Sequence, residues 1–257
     1  MTKIFALAEY ADELLRTAEI PDYPAALNGL QLENGSDIAG IASAVDLSTR
    51  AIAGAIEAKA NLLIVHHGMF WNGLEQLRGP SYRKVRLLLE HDIAVYSSHL
   101  PLDLHPELGN NVLLAKELGL KPTGTFAKHD GYFIGLSGES DIETMTLAEI
   151  AERFASAYGG SIRLTRVQRH RRTKRWAMCS GAGASSDTLR EAVRMGVDTL
   201  IVGEGPHHTA VQAEENNVAI IYAGHYATET LGVTALAEHL GQKYEIPTCF
   251  IKAPTGL

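Results

Sequence analysis

The sequence predicts an α/β protein made of two similar lobes related by a weak internal repeat, with a metal site between them. Three observations predict it. Short runs rich in Val and Ile alternate with longer amphipathic segments, the pattern of strands alternating with helices. The apolar runs end in polar residues, histidine above all. The stretch LLIVHHG at 62–68 is echoed by TLIVGEG at 199–205, and IAVYSSH at 93–99 by AIIYAGH at 219–225. At 257 residues, 46% hydrophobic and 21% charged, the chain can bury a substantial core without disulfides or a structural metal. Any metal would therefore serve function.

Taken in order, 3–18 has apolar residues at helical spacing, 41–46 (IASAVD) reads as a strand, and 48–59 as a helix capped by Asp46 or Ser48. Strands follow at 62–65 and 93–97, separated by a helix at 81–90, and a further helix covers 108–118. The turn-rich KPTGTFAKHDG at 121–131 is the best boundary, placing lobe 1 at about 1–125 and lobe 2 at about 126–257. The second lobe should contain strands at 132–136, 176–180, 199–202 and 218–222. Its helices should cover 144–157, 187–195 (capped by Ser185 or Ser186), 208–216 and 227–240. The two lobes form one cooperative unit, with no inserted domain.

Composition excludes several classes. Two cysteines, Cys179 and Cys249, neither in a C-x-x-C pair, exclude a disulfide scaffold and a thiolate zinc site, and they suit a reducing compartment. Acidic residues interrupt the N-terminal apolar spacing, and no run reaches membrane-spanning length, so a cytoplasmic location without membrane association is expected. A net charge of −7 argues against nucleic acid as a partner. One exception is local: Arg163, Arg166, Arg169, Arg171, Arg172, Lys174 and Arg175 fall in a stretch without acid. Such a run is most simply a solvated strand-turn-strand, with binding of nucleotide phosphates or nucleic acid as the alternative.

Eleven histidines are the other anomaly. His66 and His67 end a strand, where successive side chains point to opposite faces, a geometry suited to two ions on either side of the backbone. His99 and Asp103, in HLPLD, follow another strand; Pro101 predicts an irregular loop, in which His105 could replace Asp103 as the useful group. His225 and Glu229 are four apart, one face of a helix, and a carboxylate can bridge two cations. His66, His67, Asp103, His225 and Glu229 together offer three imidazoles and two carboxylates, a set suited to two divalent ions of Zn, Fe, Mn, Ni or Co with open positions for water. In the repeat, His67 corresponds to Glu204 and His99 to His225. Glu204, His207 and His208 should approach the site, and His99 and Glu204 are the candidates for proton transfer. Gly181 and Gly183 form either a tight turn or a phosphate cradle.

These motifs, in this order, resemble the family of type 2 GTP cyclohydrolase I homologs, also called the NGG-interacting-factor-like dinuclear metal proteins. The resemblance runs through NGLQLENG at 28–35, VDLS at 45–48, LLIVHHGMFW at 62–71, YSSHLPLD at 96–103, GNNVLLAKELGL at 109–120, GAGAS at 181–185 and AGHYATETLGV at 223–233. It implies that His67 and Asp103 bind one metal, His66 and His225 the other, and that Glu229 bridges both. It implies a homohexamer, and a hydrolase in which metal-bound hydroxide attacks the guanine imidazole ring of GTP with release of formate. HLPLD departs from the pattern in having Leu where Thr or Ser commonly follows the histidine, and the 163–175 segment is unusually basic. The alternatives are a metal-dependent phosphoester or nucleotide hydrolase acting on a small molecule, which a two-metal site serves equally well, and a non-catalytic metal-binding regulatory protein.

Overall fold

The computed structural model describes residues 3–71, 73, 75–168 and 170–256. Arg169 of the basic run lies outside the described residues. The fold is mixed α/β with two sheets, and the chain divides into two compact units: Met1–His105 with Gly232–Ala253, and Pro106–Leu231 with Pro254–Leu257.

The first unit contains α1 (Ile4–Leu15), β1 (Gly29–Leu32), β2 (Ile41–Asp46), α2 (Thr49–Glu57), β3 (Leu62–His67), α3 (Pro80–Glu90), β4 (Ala94–Ser97) and α4 (Leu100–Asp103). From the C-terminal end come α10 (Thr230–Tyr244), from Gly232 onward, and β11 (Thr248–Phe250). The strand order is β1-β4-β3-β2-β11, parallel except for β1. Because the central strands are covered on both faces, they read as unbroken apolar runs and not as alternating ones. Ala42, Leu63, Val65 and Val95 pack with Ile52 of α2 and Leu88 of α3 in one core cluster. Ser48 caps α2, accepting from Ala51 N–H at 3.1 Å. Asp46, the other candidate cap, is engaged elsewhere.

The second unit contains α5 (Asn110–Glu117), β5 (Gly124–His129), β6 (Tyr132–Glu143), α6 (Thr144–Ala157), β7 (Arg163–Leu164), β8 (Arg172–Cys179), α7 (Ser186–Arg194), β9 (Thr199–Val202), α8 (His207–Glu215), β10 (Ala219–Tyr222) and α9 (His225–Thr228). Its strand order is β5-β6-β8-β9-β10-β7, with β8, β9 and β10 parallel. The parallel trio β8-β9-β10 matches β2-β3-β4 of the first unit in order and direction, as the repeat predicts, and each trio carries an antiparallel strand beside its last member. Ser185 caps α7 in a capping box with Thr188.

The units differ from the expected lobes in two ways. The 121–131 stretch lies inside the second unit, and residues 232–253 return to the first. Asp130 and Gly131, both at positive φ (43° and 90°), form the tight turn of the β5–β6 hairpin. That Asp-Gly pair is the usual hairpin signal, and it marks a turn within a sheet here. Three members of the basic run are engaged within their own unit, two of them by carboxylates. Arg172 pairs with Asp141, Arg175 with Glu139, and Arg171 donates to the Asp198 carbonyl and to Asn217. Among the described residues, no helix is long and apolar enough to cross a membrane.

Candidate metal centre

In the first unit the parallel register brings Asp46 at the end of β2 beside His67 at the end of β3. Its Oδ1 lies 2.8 Å from His67 Nδ1. His66 is fully buried, and its Nδ1 lies 2.9 Å from the Ser98 carbonyl. The two rings diverge less than strict strand alternation predicts: their centroids are 4.9 Å apart at 56°, because β3 ends here and ladder constraints end with it. Gly68 is required by space. A Cβ there would come within 2.4 Å of the Gln31 amide and 2.6 Å of Ser97 Oγ.

His99 follows β4. Its Nδ1 lies 2.8 Å from Asp22 Oδ1, and its backbone N–H donates to Asn28 Oδ1 at 2.7 Å. The expected irregular loop is instead a helical turn, α4, because Pro101 occupies its first turn, where a missing N–H costs nothing. The turn brings Asp103 Oδ2 to 3.6 Å from His66 Nε2, so Asp103 is the loop residue beside the histidines. One ligand-capable nitrogen each from His66, His67 and His99 lies within 4.8 Å of the others. Trp71 packs beside this trio, 4.7 Å from the His67 ring and 4.5 Å from that of His99.

In the second unit His225 opens α9 after Gly224, which sits at φ 91°. Its Nδ1 lies 2.8 Å from Glu204 Oε1 and its Nε2 3.1 Å from Glu229 Oε2. The i, i+4 expectation holds although α9 is only one turn and Glu229 follows it as the cap residue. Burial disfavours the charged imidazole, but Glu229 and then Glu204 outweigh it, and the His225 pKa rises from 6.5 to about 9. Gly181, at φ 60°, closes the back of the pair: a Cβ would stand 2.1 Å from Glu229 Oε1. Its N–H donates to Thr228 Oγ1 and its carbonyl accepts from Glu204 N–H, so the Gly181 N–H is spent on the protein. Glu204 reaches the site residues; His207 and His208 lie exposed on α8.

All four imidazoles are therefore held through Nδ1 by an oxygen of the protein: Ser98, Asp46, Asp22 and Glu204. Outer partners of this kind fix ring aim and tautomer in metal sites. Three of the four escaped sequence reading. Asp46 read as a helix cap, Asp22 carried no motif that singled it out, and Ser98 contributes only backbone.

These features define a class: an α/β protein whose histidines and carboxylates cluster just beyond the C-terminal ends of parallel strands, where such sheets place ligands. Residues 2–255 match the Duf34/NIF3 (NGG1p interacting factor 3) family, and the chain belongs to it. It is 38% identical over 251 residues to a protein of Deinococcus radiodurans named GTP cyclohydrolase 1 type 2 homolog, covering 98% of this chain and 93% of that one. A Pyrococcus horikoshii protein of the same name is 41% identical, with 98% of both chains covered. Among solved structures, protein ybgI, described as of unknown function, superposes with a TM-score of 0.88 at 33% identity over the whole of both chains. TTHA1606 from Thermus thermophilus gives 0.84 at 31%, again with full coverage.

Proposed function

We propose that this chain is a metal-dependent hydrolase that binds two divalent ions on His66, His67, Asp103, His225 and Glu229 and opens the guanine imidazole ring of GTP with release of formate. The observation that carries the metal reading is the tethering of every site imidazole through Nδ1. His66 illustrates the geometry. A carbonyl oxygen only accepts, so the ring nitrogen facing Ser98 must carry the proton. In the neutral ring Nε2 is then an acceptor, and it faces the acceptor oxygen of Asp103 at 3.6 Å. That nitrogen and the carboxylate oxygen are near enough to share one cation. Around His225 two carboxylates hold a proton on the ring where a metal would take its place. The donor set thus fits divalent ions bound by nitrogen and oxygen.

When bound, such ions generate a nucleophile from water at neutral pH and stabilise developing negative charge. The chain's own residues do the rest. Asp46 and Glu204 aim their imidazoles, and Gly181 leaves room for the Glu229 carboxylate. His99 and Glu204 carry protons to and from the reacting groups. The substrate and the formate-releasing chemistry rest on the family resemblance and on the relatives' names, and assembly into a homohexamer on the resemblance alone; a reducing cytoplasm suits a chain whose two cysteines form no C-x-x-C pair. The net charge of −7 and the internally paired arginines support a small-molecule substrate and not a nucleic acid.

The test is a product screen of the metal-loaded protein with GTP. Formate and a pteridine precursor are expected, and both should vanish in Glu229→Gln. Release of inorganic phosphate would transfer the site to phosphoester hydrolysis. Absence of any turnover by fully loaded protein would overturn the enzymatic reading.

A further inference from the structure

We propose that Asp22 is a positioning residue that fixes the tautomer and aim of His99, so that the ring presents Nε2 as an acceptor toward His66 and His67. The inference rests on the reading of these imidazoles as the core of the reactive site.

Asp22 stands 77 positions from His99 in sequence, in the segment between α1 and β1. Its side chain is only 5% exposed, and its oxygens are fully engaged. Oδ1 faces His99 Nδ1 at 2.8 Å and accepts from its neighbour's backbone, Tyr23 N–H, at 2.7 Å. Oδ2 accepts from Asn28 Nδ2 at 2.8 Å and from Leu100 N–H at 3.0 Å. Asn28 in turn uses Oδ1 to accept from His99 N–H at 2.7 Å. Carboxylate and amide therefore grip His99 at its ring, at its own N–H and at the next N–H along the chain. The clamp fixes χ angles as well as backbone.

The carboxylate also decides where the ring proton sits. Burial would favour the neutral acid, but the hydrogen bond and charge of His99, then the donors of Asn28 and Tyr23, hold the Asp22 pKa down at about 2. An ionised carboxylate only accepts, so at 2.8 Å Nδ1 is the nitrogen that donates, and in the neutral form of the ring Nε2 keeps the lone pair. That ring lies 4.7 Å from the His66 ring and 5.6 Å from the His67 ring, centroid to centroid. A lone pair held there accepts a proton from a reacting group. The opposite tautomer would offer an N–H and could not. An aspartate holding a catalytic histidine by Nδ1 is a recurrent device for this selection, and its value lies in tautomer and orientation.

A merely structural Asp22 would tie the segment before β1 to α4 and leave the tautomer to chance. The two roles separate by nitrogen NMR of the full-length chain labelled at histidine nitrogens, stripped of metal and held in alkaline buffer, with His99 assigned from His99→Gln. Wild-type protein should show His99 protonated at Nδ1 and bare at Nε2. Asp22→Asn should mix the two tautomers, and Asp22→Glu should restore the first. With GTP as substrate, Asp22→Asn should lower kcat by about 100-fold with KM changed by less than about threefold. Adding it to His99→Gln should cost nothing further.

A wild-type His99 protonated at Nε2 would overturn the proposal, as would an Asp22→Asn spectrum identical to wild type or losses that multiply in the double variant. Should Asp22→Asn not fold, the wild-type spectrum still decides. The spectra need no turnover, so an inactive protein would count against the proposed reaction and leave this inference to be judged by the tautomer.

Discussion

Glu204 Oε1 lies 2.8 Å from His225 Nδ1, on the side of the ring opposite Glu229. The sandwich raises the His225 pKa from 6.5 to about 9 in metal-free protein. A group whose pKa is higher in the folded than in the unfolded state contributes stability fully present below the unfolded value and lost as pH rises through the folded one. Metal-free protein should therefore lose part of its stability between about pH 6.5 and pH 9. Metal must displace the same proton. Calorimetric titration in buffers of differing ionisation enthalpy should show proton release on loading at neutral pH that fades above about pH 9.

Asp46 makes the corresponding contact to His67. Replacing it by Asn or Ala should weaken metal binding by about 10–100-fold, the usual cost of losing an outer partner of a ligating histidine. Competition with a chromophoric chelator measures it. Melting temperature of the metal-free protein should change little, since the Asp46 side chain is 40% exposed.

Gly181 is intolerant of any side chain. Its φ of 60° disfavours other residues, and a Cβ would fall 2.1 Å from Glu229 Oε1. Gly181→Ala should destabilise the protein by about 1–3 kcal/mol in chemical denaturation and reduce metal content by displacing the carboxylate.

Acid should act on Asp22. Its pKa is depressed from 3.8 to about 2, so the stability it contributes is present above 3.8 and is lost as pH falls through 2. Asp22→Asn should remove about 1 kcal/mol at neutral pH, after allowance for solvent screening, and should flatten the acid limb of the stability curve between those values.

A buried chain of hydroxyls runs Thr144–Thr173–Thr199 and ends on Asp198, with oxygens 3.1, 2.9 and 2.8 Å apart. Thr173 is its centre. Thr173→Val keeps the shape but strands the Thr144 hydroxyl, while Thr199 keeps its bond to Asp198, and should cost about 1–3 kcal/mol without altering metal content.

Strand ends and helix frames were legible in the sequence because parallel strands buried on both faces are unbroken apolar runs; 41–46 and 199–202 coincide with β2 and β9. The edge strands were not. β1, β7 and β11 are strands of two to four residues whose pairing partners lie far away in sequence, and β5 hides in a stretch whose Asp-Gly turn also suits a boundary. The candidate ligands and proton carriers at or shortly after strand ends were legible: His66, His67, His99, Asp103, His225 and Glu229. Their partners were not. Asp22 acts across 77 residues, and Ser98 acts through a carbonyl that every residue possesses. Long-range hydrogen bonds leave no local period to read.

The central claim is a pair of metal ions held by His66, His67, Asp103, His225 and Glu229. Elemental analysis of protein purified without chelator or added metal tests it most directly, beside Glu229→Gln prepared identically. Two divalent ions per chain are predicted for the wild type, and loss of both or of one in the variant. A wild-type chain with its five ligands intact that retains one ion or none, and takes up no second on titration, would contradict the account.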